Sequence, residues 1–357
     1  MPSSPVPFVR TGRRAVTPRN LGSEMLRRSW ISAASAALIA TSSTVVYGDK
    51  TKLTVSSQLG INYLPILMLK HDQLLEKHAK NLGLGSISVN FVKLGTGTAS
   101  NDALLSGSVD LITTGTPTII QLWSVSTGSG SAIKAIGALG SKLFLLNSTN
   151  PNVKTIRDFT EQDRIAVPAA KVGLQATLLQ MECAKLFGEA NFGKLDHLTV
   201  TMAHPDALLS LLSGFSGSIT AHFGQSPFQD EELKNSKVHT VLTSHEVLGG
   251  PATSELLATT VAFHDANPVL CRAILDALEE AISSVNSDKK KAAQVYLAET
   301  QTKDSPGDIE TIISPYSMVP TGIMKYADFL YKVGRIKRRP EKWSDVFFAE
   351  IHDQPGN

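Results

Sequence analysis

The chain has 357 residues, 34 Lys plus Arg against 32 Asp plus Glu, 42% hydrophobic residues and two cysteines. That length holds two ordinary domains or one large one, and 18% charged residues with 26 Gly and 17 Pro exclude a disordered, collagen-like or disulfide-built chain. Residues 1–48 hold six arginines and one acid, so the remaining 309 residues carry 28 basic and 31 acidic side chains, a net of −3 with no electrostatic footprint for nucleic acid.

In the first segment, Met25-Leu-Arg-Arg-Ser-Trp30 precedes a short apolar stretch, Ile31 to Ala40, and a polar run ending in small residues. These three zones read as a signal peptide over 1–48, cleaved near Gly48 with Val46 three residues before the cut, translation starting at Met1 or Met25. The uncharged stretch Trp30 to Tyr47 falls short of the roughly 20 apolar residues of a membrane span. Arg27-Arg28 leaves the general and the twin-arginine export routes both open. Export would place Cys183 and Cys271 in an oxidising compartment, but each lies on an apolar helical stripe, so both are expected to be buried and unpaired.

From Thr51 strand and helix alternate. Leu53 to Ser57 reads as a strand, Leu64 to Ala79 as one helix, and Ser86 to Val92 as a period-two strand. Asn101 to Leu105 is a short helix, Val109 to Gly115 a strand, and Pro117 suits the first turn of the next helix. Ala132 to Leu139 and Lys142 to Leu146 follow as strands around Gly140. The scheme then repeats, with strands at Arg164–Pro168, Leu198–Met202 and Ser218–Phe223 and helices at Gly173–Phe187 and Pro205–Leu212. Val238–Thr243 and Leu256–Ala262 are further strands, and only helices follow: Val269–Val285 with Asn267 and Pro268 as cap and first turn, Asp288–Thr300, Gly307–Ser314, Gly322–Val333 and Trp343–Ile351.

Such alternation predicts an α/β fold of open, mostly parallel sheets flanked by helices, with a helical C-terminal tail. A faint echo supports two lobes of related construction. Asp102-Ala-Leu-Leu-Ser-Gly-Ser-Val-Asp-Leu-Ile-Thr-Thr-Gly115 resembles Asp206-Ala-Leu-Leu-Ser…Ser216-Gly-Ser-Ile-Thr-Ala-His-Phe-Gly224, which is five residues longer.

The chemistry-bearing motifs are missing from the sequence: no GxSxG elbow, HExxH, CxxC, Walker A or complete GxGxxG occurs. Gly95-Thr-Gly97-Thr-Ala-Ser100 lacks the third glycine of a dinucleotide loop. The nine histidines have no ligand spacing; His71 and His78 fall seven apart on the expected first helix. Lys289-Lys-Lys291 and the Arg335–Arg339 run read as solvated faces. No metal site, cofactor or catalytic residue is expected.

Ligands of open α/β sheets bind beyond the carboxyl ends of the strands, where helix N-termini offer free N–H groups. Five loops fall there. They supply Gln58, Gly60 and Tyr63; Thr96, Gly97 and Thr98; Thr114, Gly115 and Thr116; Val172, Gly173 and Gln175; and His222, Phe223 and Gln225. The loops are rich in uncharged hydrogen-bonding groups and contain no arginine; Lys171 is their one cation.

The signal segment, the run Leu105-Ser-Gly-Ser-Val-Asp-Leu-Ile-Thr-Thr-Gly115-Thr-Pro-Thr, the Ile156-Arg-Asp-Phe…Ile165-Ala-Val-Pro168 segment and the helical tail together resemble periplasmic substrate-binding proteins of ABC importers, nitrate, sulfonate and taurine branch. The resemblance implies a type II binding-protein architecture, with 49–136 plus 246–357 as lobe one and 137–245 as lobe two. It also implies a periplasmic, monomeric receptor that closes on a small anionic or zwitterionic solute, works without chemistry, and delivers the solute to a membrane permease with its ATPase subunit. The fifteen loop residues above match the positions of that family's ligand-contacting loops. The same fold serves thiamine-precursor and menaquinone-pathway enzymes, for which His222 is the candidate catalytic residue in the loops, and binding proteins of sensors or other transporters. These stand as alternatives.

Overall fold

A computed structural model of the chain describes residues 49–129, 131–213 and 219–357. The expected signal peptide, and Ser216 to Ser218 of the echo, lie outside the described residues. Strands run β1 (Lys52–Ser57), β2 (Ser88–Lys93), β3 (Leu111–Gly115), β4 (Ile133–Ala138), β5 (Leu145–Ser148), β6 (Ile165–Val167), β7 (Thr199–Thr201), β8 (Ala221–Phe223), β9 (His239–Thr243) and β10 (Glu255–Thr260). Between them lie α1 (Leu64–His71), α2 (Leu74–Asn81), α3 (Gly97–Leu105), α4 (Thr116–Ser126), α5 (Leu174–Phe187), α6 (His204–Ser213), α7 (Phe228–Leu233) and α8 (Ser244–Leu248). The tail adds α9 (Val261–Ala266), α10 (Pro268–Ser287), α11 (Lys289–Thr300), α12 (Pro306–Ile312) and α13 (Ile323–Lys332).

Two five-stranded sheets form, in the orders β2-β1-β3-β10-β4 and β7-β6-β8-β5-β9. Each follows one plan. Three parallel strands come from consecutive βα units, the fourth (β10 in the first sheet, β5 in the second) follows a crossing between the sheets and runs antiparallel, and the last closes the edge. The expected two-lobed α/β architecture is borne out, with one antiparallel strand in each sheet. Both copies of the echo occupy the same place in this plan, the helix before the third strand: α3 before β3, and α6 before β8.

The chain passes between the sheets twice, after β4 and after β9. Gly137 and Ala138 pair with Leu257 and Leu256 of β10 immediately before the first crossing. The two crossings lie side by side: Ser254 N donates to Gly140 O at 3.0 Å, and Ser141 bridges Thr253. Gly140 has φ +96°, and a Cβ there would meet Ser317 N at 2.8 Å, so only glycine fits this crossing.

Burial explains the strands. All five residues of β3 are buried between helical layers, whereas edge strand β2 alternates. Helix α10 packs its apolar face, including Leu270, Ile274, Leu278 and Val285, against α1, α2 and β4. Its cap differs from expectation. Asn267 occupies the cap position, but its side chain accepts from Lys50 N and donates to Phe263 O, while Asp49 Oδ1 accepts from Leu270 N at 2.9 Å.

Several expected boundaries move. The single helix over 64–79 is two, because Gln73 takes a left-handed conformation with φ +49°. His71 and His78 therefore sit on different helices and pair with Glu299 and Glu280. Lys142 and Leu143, expected in a strand, belong to the first crossing, and Lys142 Nζ is buried against Ser314 O at 2.8 Å. Trp343–Ile351 is not a helix. Two short 3-10 turns flank Phe347 and Phe348, and Phe347 bridges Ala135 while Phe348 N donates to Ala135 O, which covers the edge of β4. Of the basic run, Arg335 is half-buried and pairs with Asp196 at 3.0 Å. Cys183 and Cys271 are buried and unpaired, and burial pushes both thiols up to about 12.

Candidate functional site

The parallel strands of both sheets end toward each other, and the loops leaving them meet. Ile61 N donates to Ser226 O at 2.9 Å, Thr118 Oγ1 and Gln121 Nε2 donate to Val172 O at 3.3 and 3.0 Å, and Gln225 Nε2 donates to Leu59 O. These contacts close over a small cavity of about 20 Å³, little more than one water needs.

Of the residues expected in a site, Gln58, Tyr63, Gly97, Thr114 and Gly115 line this cavity from the first lobe. Gly173, Gln175 and Gln225 line it from the second. The others serve the walls. Thr96 caps α3 by accepting from Ala99 N, and Thr98 is exposed. Thr116 Oγ1 donates to Thr253 O at 2.8 Å, and Val172 offers its carbonyl to Thr118. Gly60 gives room to Gln225, whose amide would lie on any Cβ at that position. Phe223 and His222 lie within β8 and are fully buried, so neither reaches the cavity. Lys171 is exposed and is not among the lining residues.

Residues that the loop rule did not supply complete the lining: Thr118, Pro168, Ala169, Leu174, His204 and Glu255. His204 opens α6 after β7, at a strand end of the same kind as the five chosen, so the rule applied to β7 would have found it. Glu255 escaped for a topological reason. It begins β10, which is antiparallel and pairs with Gly115, so the amino end of β10 lies where its neighbours have carboxyl ends.

Glu255 is the one formally charged side chain among the described lining residues. It is 2% exposed and accepts from Asn62 Nδ2 through Oε1 at 2.8 Å. Burial pushes its carboxyl up to about 7, against the opposing pull of Ser254, Asn62 and Lys142. Burial likewise lowers Lys142 to about 7, opposed by attraction to Glu255. Burial, then the nearby Glu255, raises the Tyr63 phenol well above its ordinary value.

On the opposite wall His204 ends a buried chain. Its Nδ1 lies 2.8 Å from His222 Nε2, His222 Nδ1 bonds Glu232 Oε1, and Asn147 Nδ2 donates to Glu232 Oε2 at 2.9 Å. His204 stacks on Phe228 at 5.6 Å, and burial, with His222 beside it, holds its pKa well below the usual histidine range. The cavity thus presents a neutral imidazole, amides and hydroxyls, the first turns of α3, α4 and α5, and one acid. No nucleophile lies beside a base in that set.

The raised Glu255 value makes a stability prediction. A carboxyl whose folded value exceeds its ordinary 4.5 contributes stability that is full below the unfolded value and lost as pH rises through about 7. Between about pH 5 and about pH 7.5 the wild type should therefore lose roughly 2 kcal/mol relative to Glu255→Gln, whose amide does not titrate. Urea unfolding across that range reads the difference, and a constant offset would refute the shift.

No protein-family model and no curated protein sequence matches the chain. Solved structures match it in fold. The alkanesulfonate-binding protein SsuA of Xanthomonas axonopodis pv. citri, bound to MOPS, is 15% identical with a TM-score of 0.62, covering 82% of this chain and 96% of that one. The periplasmic aliphatic sulphonate binding protein SsuA of Escherichia coli is 16% identical with a TM-score of 0.59, covering 84% and 99%. The periplasmic nitrate-binding protein NrtA of Synechocystis PCC 6803 is 16% identical with a TM-score of 0.55, covering 75% and 71%. Identities this low transfer architecture and not ligand. The resemblance read in the sequence is matched in three dimensions: this chain has the two-lobed α/β fold of the periplasmic substrate-binding proteins.

Proposed function

We propose that the protein is an extracytoplasmic solute receptor, which binds a small anionic or zwitterionic solute between its lobes and delivers it to an ABC permease and its ATPase subunit. The observation that carries this reading is a small polar cavity whose lining comes from both lobes and which their direct contacts close. The lobes are taken as 49–136 plus 246–357 and 137–245, hinged at the paired crossings around Gly140 and Thr253, with 1–48 as the export signal and the mature chain a periplasmic monomer. A solute touching both lobes binds the closed state better than the open one and so shifts the equilibrium without being changed. The sulfonate- and nitrate-binding proteins of the same fold support the solute class.

Native mass spectrometry of freshly purified protein should show a small co-purifying solute. Adding that solute back should raise the melting temperature and compact the protein in solution scattering, with the solute recovered intact. Its consumption would refute the receptor reading. It would favour an enzyme instead, a reading that draws on the Glu232–His222–His204 chain ending at the cavity.

A further inference from the structure

Glu255 is an unexpected residue for a pocket that takes a simple anion. It is 2% exposed and lines the cavity; Oε1 accepts from Asn62, whereas buried Oε2 has no hydrogen-bond partner among the described residues, the neighbouring Ser254 hydroxyl donating to Gly140 O instead. Leaving a buried carboxylate oxygen unpaired is costly, and a glutamine would hold Asn62 equally well without the charge. A purely structural role therefore explains the contact to Asn62 but not the second oxygen.

The facing wall adds an acceptor. A Glu232 carboxylate receiving the His222 Nδ1 proton leaves His222 Nε2 to accept from His204 Nδ1. In that arrangement His204 Nε2 carries a lone pair, 3.5 Å from the Gln175 amide nitrogen among the cavity-lining side chains. Donors come from elsewhere. Gly97 and Leu174 open α3 and α5, nine and fourteen residues long, and first-turn N–H groups have no intrahelical acceptor and favour negative charge. The cavity is bipolar, with acceptors at Glu255 and His204 and donors at two helix starts.

Resting on the receptor reading above, we propose that the solute is a zwitterion whose protonated amine sits on Glu255 Oε2, its oxyanion facing the starts of α3 and α5, so that Glu255 discriminates against simple anions. A site built to hydrogen-bond one group rejects analogues lacking it strongly, because its own polar atoms are left unpaired.

Calorimetric titration of the wild-type protein with matched pairs tests this: 2-aminoethanesulfonate against ethanesulfonate, and β-alanine against propionate, with nitrate as a third anion. In at least one pair the amine-bearing member should bind on the order of 100-fold more tightly. Glu255→Gln, checked for a native unfolding transition, should reduce that preference below about tenfold by weakening only the amine-bearing member. Equal or tighter binding of an amine-free member or nitrate overturns the proposal, as does the failure of every amine-bearing probe to bind; both readouts need only the wild type. A preference that survives Glu255→Gln also overturns it. An amine-free solute bound and released intact would sink the amine assignment while leaving the receptor standing, whereas solute turnover would sink the receptor itself.

Discussion

Gly115→Val is expected to abolish tight solute binding while leaving the fold intact. Gly115 ends β3 and pairs with Glu255, and a Cβ built there would lie 2.8 Å from Leu174 Cβ and 3.4 Å from Leu174 N. All three of its nearest atoms belong to Leu174, at the start of α5 in the opposite lobe. A side chain can turn away, but backbone and Cβ at a helix start cannot. Overpacking of this kind costs about 1–3 kcal/mol, and valine sets two more methyl groups beyond the clashing Cβ, so the upper end applies. The cost falls on the state in which the lobes meet, so it appears as lost closure: roughly 100-fold weaker binding of the co-purified solute, no compaction on adding it, and unfolding of the solute-free protein little changed. Wild-type affinity in this variant would mean that the lobes do not need to meet around the solute.

His222→Ala should cost about 3 kcal/mol of stability, the penalty for leaving a buried acidic side chain without its hydrogen-bond partner. His222 and Glu232 are both fully buried. Without the imidazole, Glu232 keeps only Asn147 among its described side-chain partners, and His204 loses the group that orients it. The double variant His222→Ala/Glu232→Gln should recover part of the loss, because the charge is removed along with its partner. Denaturant midpoints at unchanged slope measure both effects. A single-variant cost under about 1 kcal/mol would show that water replaces the ring and that Glu232 is not a stranded charge.

Much of the architecture can be read from residue pattern alone. Leu111 to Gly115 is a short apolar run closed by glycine, Pro117 fits a helix start, and Gly173 precedes an apolar-periodic helix; each became the element expected. The breaks in pattern were harder to see. Nothing in the spacing of Leu64 to Ala79 marks the change of axis at Gln73, since both halves bury leucines. Phe347 and Phe348 look helical by spacing, yet the exposed edge of β4 takes them.

The site divides in the same way. Gly97, Gly115, Gly173 and Gln175 were legible because helix starts after parallel strands follow from local Gly, Thr and Pro punctuation. His222 and Phe223 were placed one step too far out, inside a strand whose side chains pack into the second lobe.

The sequence by itself determined the βα alternation, the two related halves and the glycine-rich loops, because periodicity and turn chemistry act over a few residues. Only the tertiary structure decided the charge of the cavity. Glu255 reaches it because β10 crosses back and enters the first sheet antiparallel, pairing with a strand some 140 residues earlier in the chain. Long-range strand exchange leaves no local mark, so the one acid among the described residues that line the cavity becomes visible only when the chain is folded.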